Sequence, residues 1–203
     1  MLPPLCFITD ADAGLPIPDQ VEQAARGGAA WVQLRHKTLA DQDFADLARS
    51  LKDRLAPLAV KLIINDRVEI ARTIGAWGLH VGQSDGDPAL IRRRIGPDMV
   101  MGLSIEAEDQ MAAIPSASIN YLGVGPVRQT LSKPDHAPPI GFEGLARIAA
   151  KTALPCMAIG GLTAADVPAV RAAGCESIAV ISAISRDADL QSAARDFIRK
   201  WSI

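Results

Sequence analysis

Seven consecutive residues, Trp31-Val32-Gln33-Leu34-Arg35-His36-Lys37, begin as an apolar strand and end in charge. Side chains at alternate strand positions share a face, so Gln33, Arg35 and Lys37 are expected to stand together at the segment's end. One amide and two cations so arranged can clamp an anion, Arg as a planar fork and Lys as a point charge. They can equally be the solvated tip of a strand, and the rest of the chain has to decide. Asp66 and Asp85 each follow a further strand-like run. Two carboxylates with few nitrogen or sulfur donors nearby suit magnesium (Mg²⁺), which keeps waters and takes phosphate oxygens. Asp66 could instead cap the helix after it. Asp87 competes with Asp85, but Asp87-Pro88 reads better as a helix start.

Further polar groups follow other apolar runs: Thr9-Asp10, Asn65, His80, Ser104, Gly160-Gly161 and Ile181-Ser182. The glycine pair could be a tight turn, or a place where backbone N–H groups approach an anion unobstructed. The stretch from Gly125 to Gly141 is too long for a plain connection, and such loops are usually functional or disordered. Its Thr130, Ser132 and Lys133 would suit a lid that closes on phosphate oxygens. His80 is expected to be a hydrogen-bonded strand-end residue rather than a base, and His36 and His136 to lie on the surface. No Ser/His/Asp or Cys/His nucleophile arrangement stands out.

Composition narrows the class. The chain has 203 residues, 49% hydrophobic and 22% charged, which is enough for one domain, 1–203, with a full core. A net charge of -2 argues against nucleic acid. Arg92-Arg93-Arg94 is expected to be a solvated helix face. Cys6, Cys156 and Cys175 are scattered, with no paired spacing, and fit buried thiols in a reducing compartment. No apolar run approaches the roughly 18 residues of a membrane span, and the start lacks a basic-then-apolar leader. The expectation is a cytoplasmic protein with small-molecule phosphorylated substrates and no membrane or nucleic-acid partner. A homo-oligomer is left open.

The elements that must position these groups alternate. Apolar runs at 5–9, 31–34, 61–65, 77–81, 99–103, 119–124, 156–159 and 177–181 read as strands. Between most of them lie helical patterns, such as Phe44, Leu47, Ala48, Leu51 and Leu55; residues 106–114 are also read as a helix. A helix ending at Gly, one small residue, then an apolar strand recurs at Gly28-Ala29, Gly75-Ala76 and Gly174-Cys175. Repeated strand–helix units imply parallel strands with right-handed crossovers. An open doubly wound sheet would satisfy that, but eight units in about 200 residues fit a small (β/α)₈ barrel better. In such a barrel the groups after the strands converge on one mouth, and the loops after strands seven and eight form a recurrent phosphate site.

Six segments then stand together: Gln33-Leu34-Arg35-His36-Lys37, Ile64-Asn65-Asp66-Arg67, Gly78-Leu79-His80-Val81-Gly82-Gln83-Ser84-Asp85, Gly125-Pro126, Gly160-Gly161-Leu162-Thr163 and Val180-Ile181-Ser182-Ala183-Ile184. In content and order, over nearly the whole chain, they resemble the thiamine phosphate synthase family. The resemblance implies an α/β, eight-stranded parallel (β/α)₈ (TIM) barrel. It implies a transferase that joins hydroxymethylpyrimidine pyrophosphate to hydroxyethylthiazole phosphate with Mg²⁺, releasing pyrophosphate. By position it implies that Gln33, Arg35, Lys37, Asn65, Ser104 and Lys133 hold the pyrimidine pyrophosphate. Asp66 and Asp85 would hold the metal, and Thr130, Ser132, Gly161, Ile181 and Ser182 the thiazole phosphate. The chain departs from the family where Cys6-Phe7 and Val127-Arg128 replace aromatic positions and Ser132 replaces Thr. Two other readings stay open: a thiazole tautomerase of the same fold, and a non-catalytic thiamine-phosphate-binding paralogue.

Overall fold

The structure, a computed structural model, describes residues 1–130, 132 and 137–203. Eight strands close into a barrel in sequence order, every neighbouring pair parallel. They are β1 (Leu5–Ile8), β2 (Trp31–Leu34), β3 (Lys61–Asn65), β4 (Gly78–Val81), β5 (Val100–Ile105), β6 (Tyr121–Val124), β7 (Cys156–Ile159) and β8 (Ser177–Val180). Closure removes the sheet edges, and the barrel choice over an open sheet is thereby settled.

Alternation along each strand builds two cores. Val32, Leu34, Leu62, Ile64, Leu79 and Val81 face outward onto the helices. Cys6, Trp31, Ile63, Tyr121, Met157 and Ala179 fill the barrel's inside. The same period of two carries upward, so Gln33 shares the inner face with Trp31, Asn65 with Ile63, and Ser104 with Gly102.

The outer helices are α1 (Ile17–Arg26), α2 (Asp41–Leu55), α3 (Val68–Thr73), α4 (Pro88–Ile95), α5 (Gly141–Ala149), α6 (Val167–Ala172), α7 (Ser182–Ser185) and α8 (Leu190–Trp201). α2 buries Phe44, Ala48, Leu51 and Leu55, one helical stripe. The recurring Gly-small pair is one device used three times. Gly28, Gly75 and Gly174 take φ of 108°, 58° and 87°. The next residue's N–H then reaches back five positions, Ala29 to Ala24 O at 3.0 Å, Ala76 to Ala71 O at 2.9 Å and Cys175 to Val170 O at 3.3 Å. A left-handed glycine permits this turn and satisfies the helix's last carbonyls. It delivers the chain directly into β2, β4 and β8.

Several expectations are corrected. Residues 106–114 contain a 3₁₀ stretch at Glu108–Ala113 in place of an α-helix. Pro115 ends it early, and the greater rise of 3₁₀ turns covers the span with fewer residues. β5 runs to Ile105, so Ser104 lies within a strand rather than after it. Arg92 is not a solvated cation. It bonds Ser118 O at 3.0 Å, Gly96 O at 2.9 Å, Met99 O at 2.6 Å and Asn120 Oδ1 at 2.8 Å, tying α4 to the chain before β5 and β6. Arg93 and Arg94 do face solvent. His36 is half-buried, its Nδ1 accepting from the Leu39 N–H at 3.2 Å.

Candidate active site

β2 stops at Leu34, so Arg35 and Lys37 are not a continuation of the Gln33 face but a turn laid across the mouth. Thr9, the residue after β1, holds that turn. Its Oγ1 accepts from the Arg35 N–H at 2.9 Å and donates to the Arg35 carbonyl at 3.0 Å. Arg67 holds the other side, bonding Asp41 Oδ1 at 2.6 Å, His36 O at 3.1 Å and Leu39 O at 2.5 Å, with its guanidinium 4.2 Å over the Phe44 ring. Gln33, Arg35 and Asn65 make no side-chain hydrogen bond with any described residue. Their donors and acceptors are left open for a ligand to satisfy.

Asp66 follows β3 in the left-handed region, φ 63°, which Asp tolerates better than most side chains. Its N–H donates to His80 O at 2.9 Å, fixing it against β4. Its carboxylate does not cap α3, whose first turn has no side-chain cap; it pairs with the Lys37 ammonium instead. Asp85 accepts from the Gly82 N–H at 2.6 Å. Burial pushes the Asp85 carboxyl above its usual range, and the Asp66 carboxylate within hydrogen-bonding reach adds to that; the Gly82 N–H and Lys37 pull the other way. Two crowded carboxylates, one of them paired with the Lys37 ammonium, are the condition a divalent cation relieves, so this pair fits Mg²⁺. Asp87 caps α4 through the Ala89 N–H at 2.7 Å, which leaves Asp85 to the mouth.

His80 lies inside the barrel between Tyr121 Oη, 2.9 Å from Nδ1, and Ser104 Oγ, 3.0 Å from Nε2. Burial pushes its imidazole down to about 4, against an opposing pull from Asp66, so it is neutral near pH 7. Gln83 Nε2 donates to Ser104 O at 2.7 Å, linking the loop after β4 to β5.

The other half of the mouth is a cavity of about 690 Å³, counting its solvent-filled opening. Ser104, Thr130, Ser132, Gly161, Ile181 and Ser182 all line it. The loop after β6 pairs with the loop after β7, Val127 N–H to Ile159 O and Arg128 N–H to Gly160 O, both 2.9 Å. The glycine pair makes this approach possible: a Cβ on Gly160 would stand 2.5 Å from Pro126 Cα, and one on Gly161 2.3 Å from Gln129 O. Arg128 turns away from the cavity to Asp166 at 2.6 Å and lies 5.3 Å over Phe142. Asp166 also accepts from Thr163 N–H at 2.9 Å and Oγ1 at 3.0 Å. The departure at Arg128 is thus absorbed by a partner on the next loop.

Asp10, a candidate by position, is a structural knot. Its carboxylate accepts from Ser185 Oγ at 2.9 Å and Arg186 Nε at 3.2 Å, closing the mouth from β8 back to β1. Gln20, fully buried on α1, clamps the same loop by bonding Asp10 O at 2.8 Å and Leu15 O at 2.7 Å. Lys133, with Leu131 and His136, lies outside the described residues. Gln20, Tyr121 and the bracing role of Arg67 carry no signal of their own in the sequence, because each acts on groups distant along the chain, although Arg67 stands inside a recognised segment. The Thr163–Asp166 spacing does read as a capping box, and the structure forms it, so only its link to Arg128 comes from the fold.

Comparison with known proteins adds the following. A family model described as thiamine monophosphate synthase matches residues 5–184. The thiamine-phosphate synthase of Azorhizobium caulinodans is 42% identical over 195 residues, covering 94% of this chain and 91% of that one. That of Clostridium novyi is 38% identical over 193 residues, 94% of this chain and 95% of its own. Among solved structures, thiamine phosphate pyrophosphorylase from Pyrococcus furiosus superposes with a TM-score of 0.89 at 27% identity, over 98% of this chain and 95% of that one. A 3-hexulose-6-phosphate synthase, TM-score 0.71 at 18% identity over 97% and 99% of the two chains, shares the fold.

Proposed function

We propose that this chain, which belongs to the thiamine monophosphate synthase family, joins hydroxymethylpyrimidine pyrophosphate to hydroxyethylthiazole phosphate across the two halves of its barrel mouth. It is a transferase, and both substrates are phosphorylated small molecules. Gln33, Arg35, Lys37, Asn65 and Ser104 take the pyrimidine pyrophosphate, and Lys133 joins them by its place in the sequence. Thr130, Ser132, Gly161, Ile181 and Ser182 take the thiazole phosphate. Asp66 and Asp85 hold Mg²⁺, which when bound neutralises charge on the departing pyrophosphate oxygens.

The chemistry follows from where charge develops. The carbon–oxygen bond to pyrophosphate breaks with its electron pair leaving on the pyrophosphate, and the aminopyrimidine delocalises the positive carbon left behind. Arg35, whose backbone Thr9 holds at the mouth, and Lys37 stabilise the growing negative charge, which is electrostatic catalysis. The thiazole phosphate, anchored against Gly161 and Ser182, keeps the ring nitrogen close for attack on that carbon. No protein nucleophile is required. The three cysteines are unbridged and buried, which supports a reducing, cytoplasmic setting.

One observation carries this reading. A hydrogen-bonded rim runs from Thr9 through Arg35, and from Lys37 through Asp66, His80 and Ser104, placing cations and carboxylates beside a cavity of hydroxyls and glycines. The test is to mix the purified chain with both substrates and Mg²⁺ and follow thiamine phosphate and pyrophosphate. Stoichiometric release of both is expected. Isomerised thiazole carboxylate phosphate without coupling would make the chain a tautomerase; tight binding without turnover would make it a non-catalytic paralogue.

A further inference from the structure

We propose that Tyr121 and His80 are positioning residues: a one-way hydrogen-bond relay through them sets Ser104 as a hydrogen-bond donor to the pyrophosphorylated pyrimidine. The last part rests on the assignment of Ser104 to that substrate; the direction of the relay does not.

The three residues stand on consecutive strands, β4, β5 and β6, and all face inward. Two glycines make room for them. A Cβ on Gly102 would lie 2.2 Å from the Tyr121 ring and 2.5 Å from His80 Nδ1, and one on Gly123 would lie 2.8 Å from His80 Cε1. The rings are therefore locked into one arrangement, 2.9 Å from Tyr121 Oη to Nδ1 and 3.0 Å from Nε2 to Ser104 Oγ.

Direction comes from counting donors. Tyr121 is fully buried, and its hydroxyl has one hydrogen-bond partner among the described residues, His80 Nδ1. The Cys6 thiol beside it is held neutral by burial and makes no bond to it. A buried O–H has to donate, so Nδ1 has to accept and carries no proton. A neutral imidazole then bears its proton on Nε2 and donates it to Ser104 Oγ. Ser104 cannot donate back along that line, so its own proton turns elsewhere. Ser104 lines the cavity, and an acceptor atom of the bound pyrimidine pyrophosphate meets that proton there. Reversing the relay, or placing an imidazolium at its centre, leaves the tyrosine proton unmatched in a dry core.

The direction can be read without turnover. The chain has three histidines, so long-range ¹H–¹⁵N correlation spectra of histidine-labelled protein resolve each ring. His80, assigned by its loss in His80→Gln, is expected as the Nε2–H tautomer near neutral pH. An Nδ1–H tautomer or an imidazolium overturns the relay, whatever the chain's activity. The link to substrate is read by kinetics. Tyr121→Phe removes one hydroxyl and is expected to cost about tenfold in kcat/KM for the pyrimidine pyrophosphate, one hydrogen bond's worth, with the KM for thiazole phosphate unchanged. In a Ser104→Ala background the same change is expected to cost nothing further, because its effect passes through Ser104. Independent, multiplying losses overturn the link. A wild-type chain with the expected tautomer but no coupling sinks the functional assignment and leaves the relay standing.

Discussion

Asp66 concentrates the demands made on a single residue. It sits at φ 63°, pairs with Lys37, and raises the Asp85 carboxyl by its charge. An alanine there would confound lost charge with backbone strain. Asn tolerates the left-handed region, so Asp66→Asn isolates the charge. We expect at least about a hundredfold loss of turnover and a flattened response to added Mg²⁺, as for removal of a group that helps hold charge in the transition state, with little change in melting temperature. Initial rates against MgCl₂, beside a thermal melt, decide it; an unchanged Mg²⁺ response would remove Asp66 from the site. The cations differ in how they are held: Lys37 has a carboxylate partner before substrate arrives, whereas the Arg35 guanidinium has none among the described residues.

At the scale of elements, the mouth is made by loops that leave the sheet and are caught at once. Thr9, just after β1, catches the exit of β2 through both backbone groups of Arg35. Thr9→Val keeps the shape and deletes both bonds in a buried place, which should cost about 1–3 kcal/mol. Denaturant midpoints should report that loss. The KM for pyrimidine pyrophosphate should rise more than that for thiazole phosphate, because the freed turn carries Arg35. Gly160 does the same service between the loops after β6 and β7. Gly160→Ala meets Pro126 at 2.5 Å with φ at 101°, so strain of at least about 1–3 kcal/mol is expected, now with thiazole phosphate KM the more affected. Equal shifts in both KM values, for either variant, would show that the two halves of the mouth are not held separately.

For the whole molecule, the barrel's inside is dry at its base and polar at its top. Burial pushes the Cys6 thiol up to about 12, and the buried Tyr121 hydroxyl, first by burial and then by Cys6, well above its ordinary 10.0. Each folded-state pKa is raised, so the unfolded chain ionises first. The stability from Cys6 is therefore whole below the thiol's ordinary 9.0 and drains as pH rises toward about 12. Urea midpoints should fall across that window, and Cys6→Ala should flatten the fall. A native chain should also leave thiol reagents unconsumed near pH 8, with all three cysteines appearing on unfolding. Rapid native labelling of Cys6 would mean the barrel's inside is open to water, and of Cys156 or Cys175 that the layer between sheet and helices is.

Alternating apolar runs, the repeated Gly-small helix ends and the strand-end segments were enough to indicate a barrel, which the structure forms, and to single out the residues that follow its strands as candidates. Each of these is local, set by a period of two or a glycine's φ within one unit, and a linear sequence carries local rules. What the sequence could not carry was pairing over distance. That Lys37 meets Asp66, that Arg128 finds Asp166, that Arg92 is a clasp, and that Ser104 is tied to His80 and Tyr121 depends on barrel closure bringing strands into register. Those contacts join residues 4 to 41 positions apart, and only the tertiary structure determines which polar group each one satisfies.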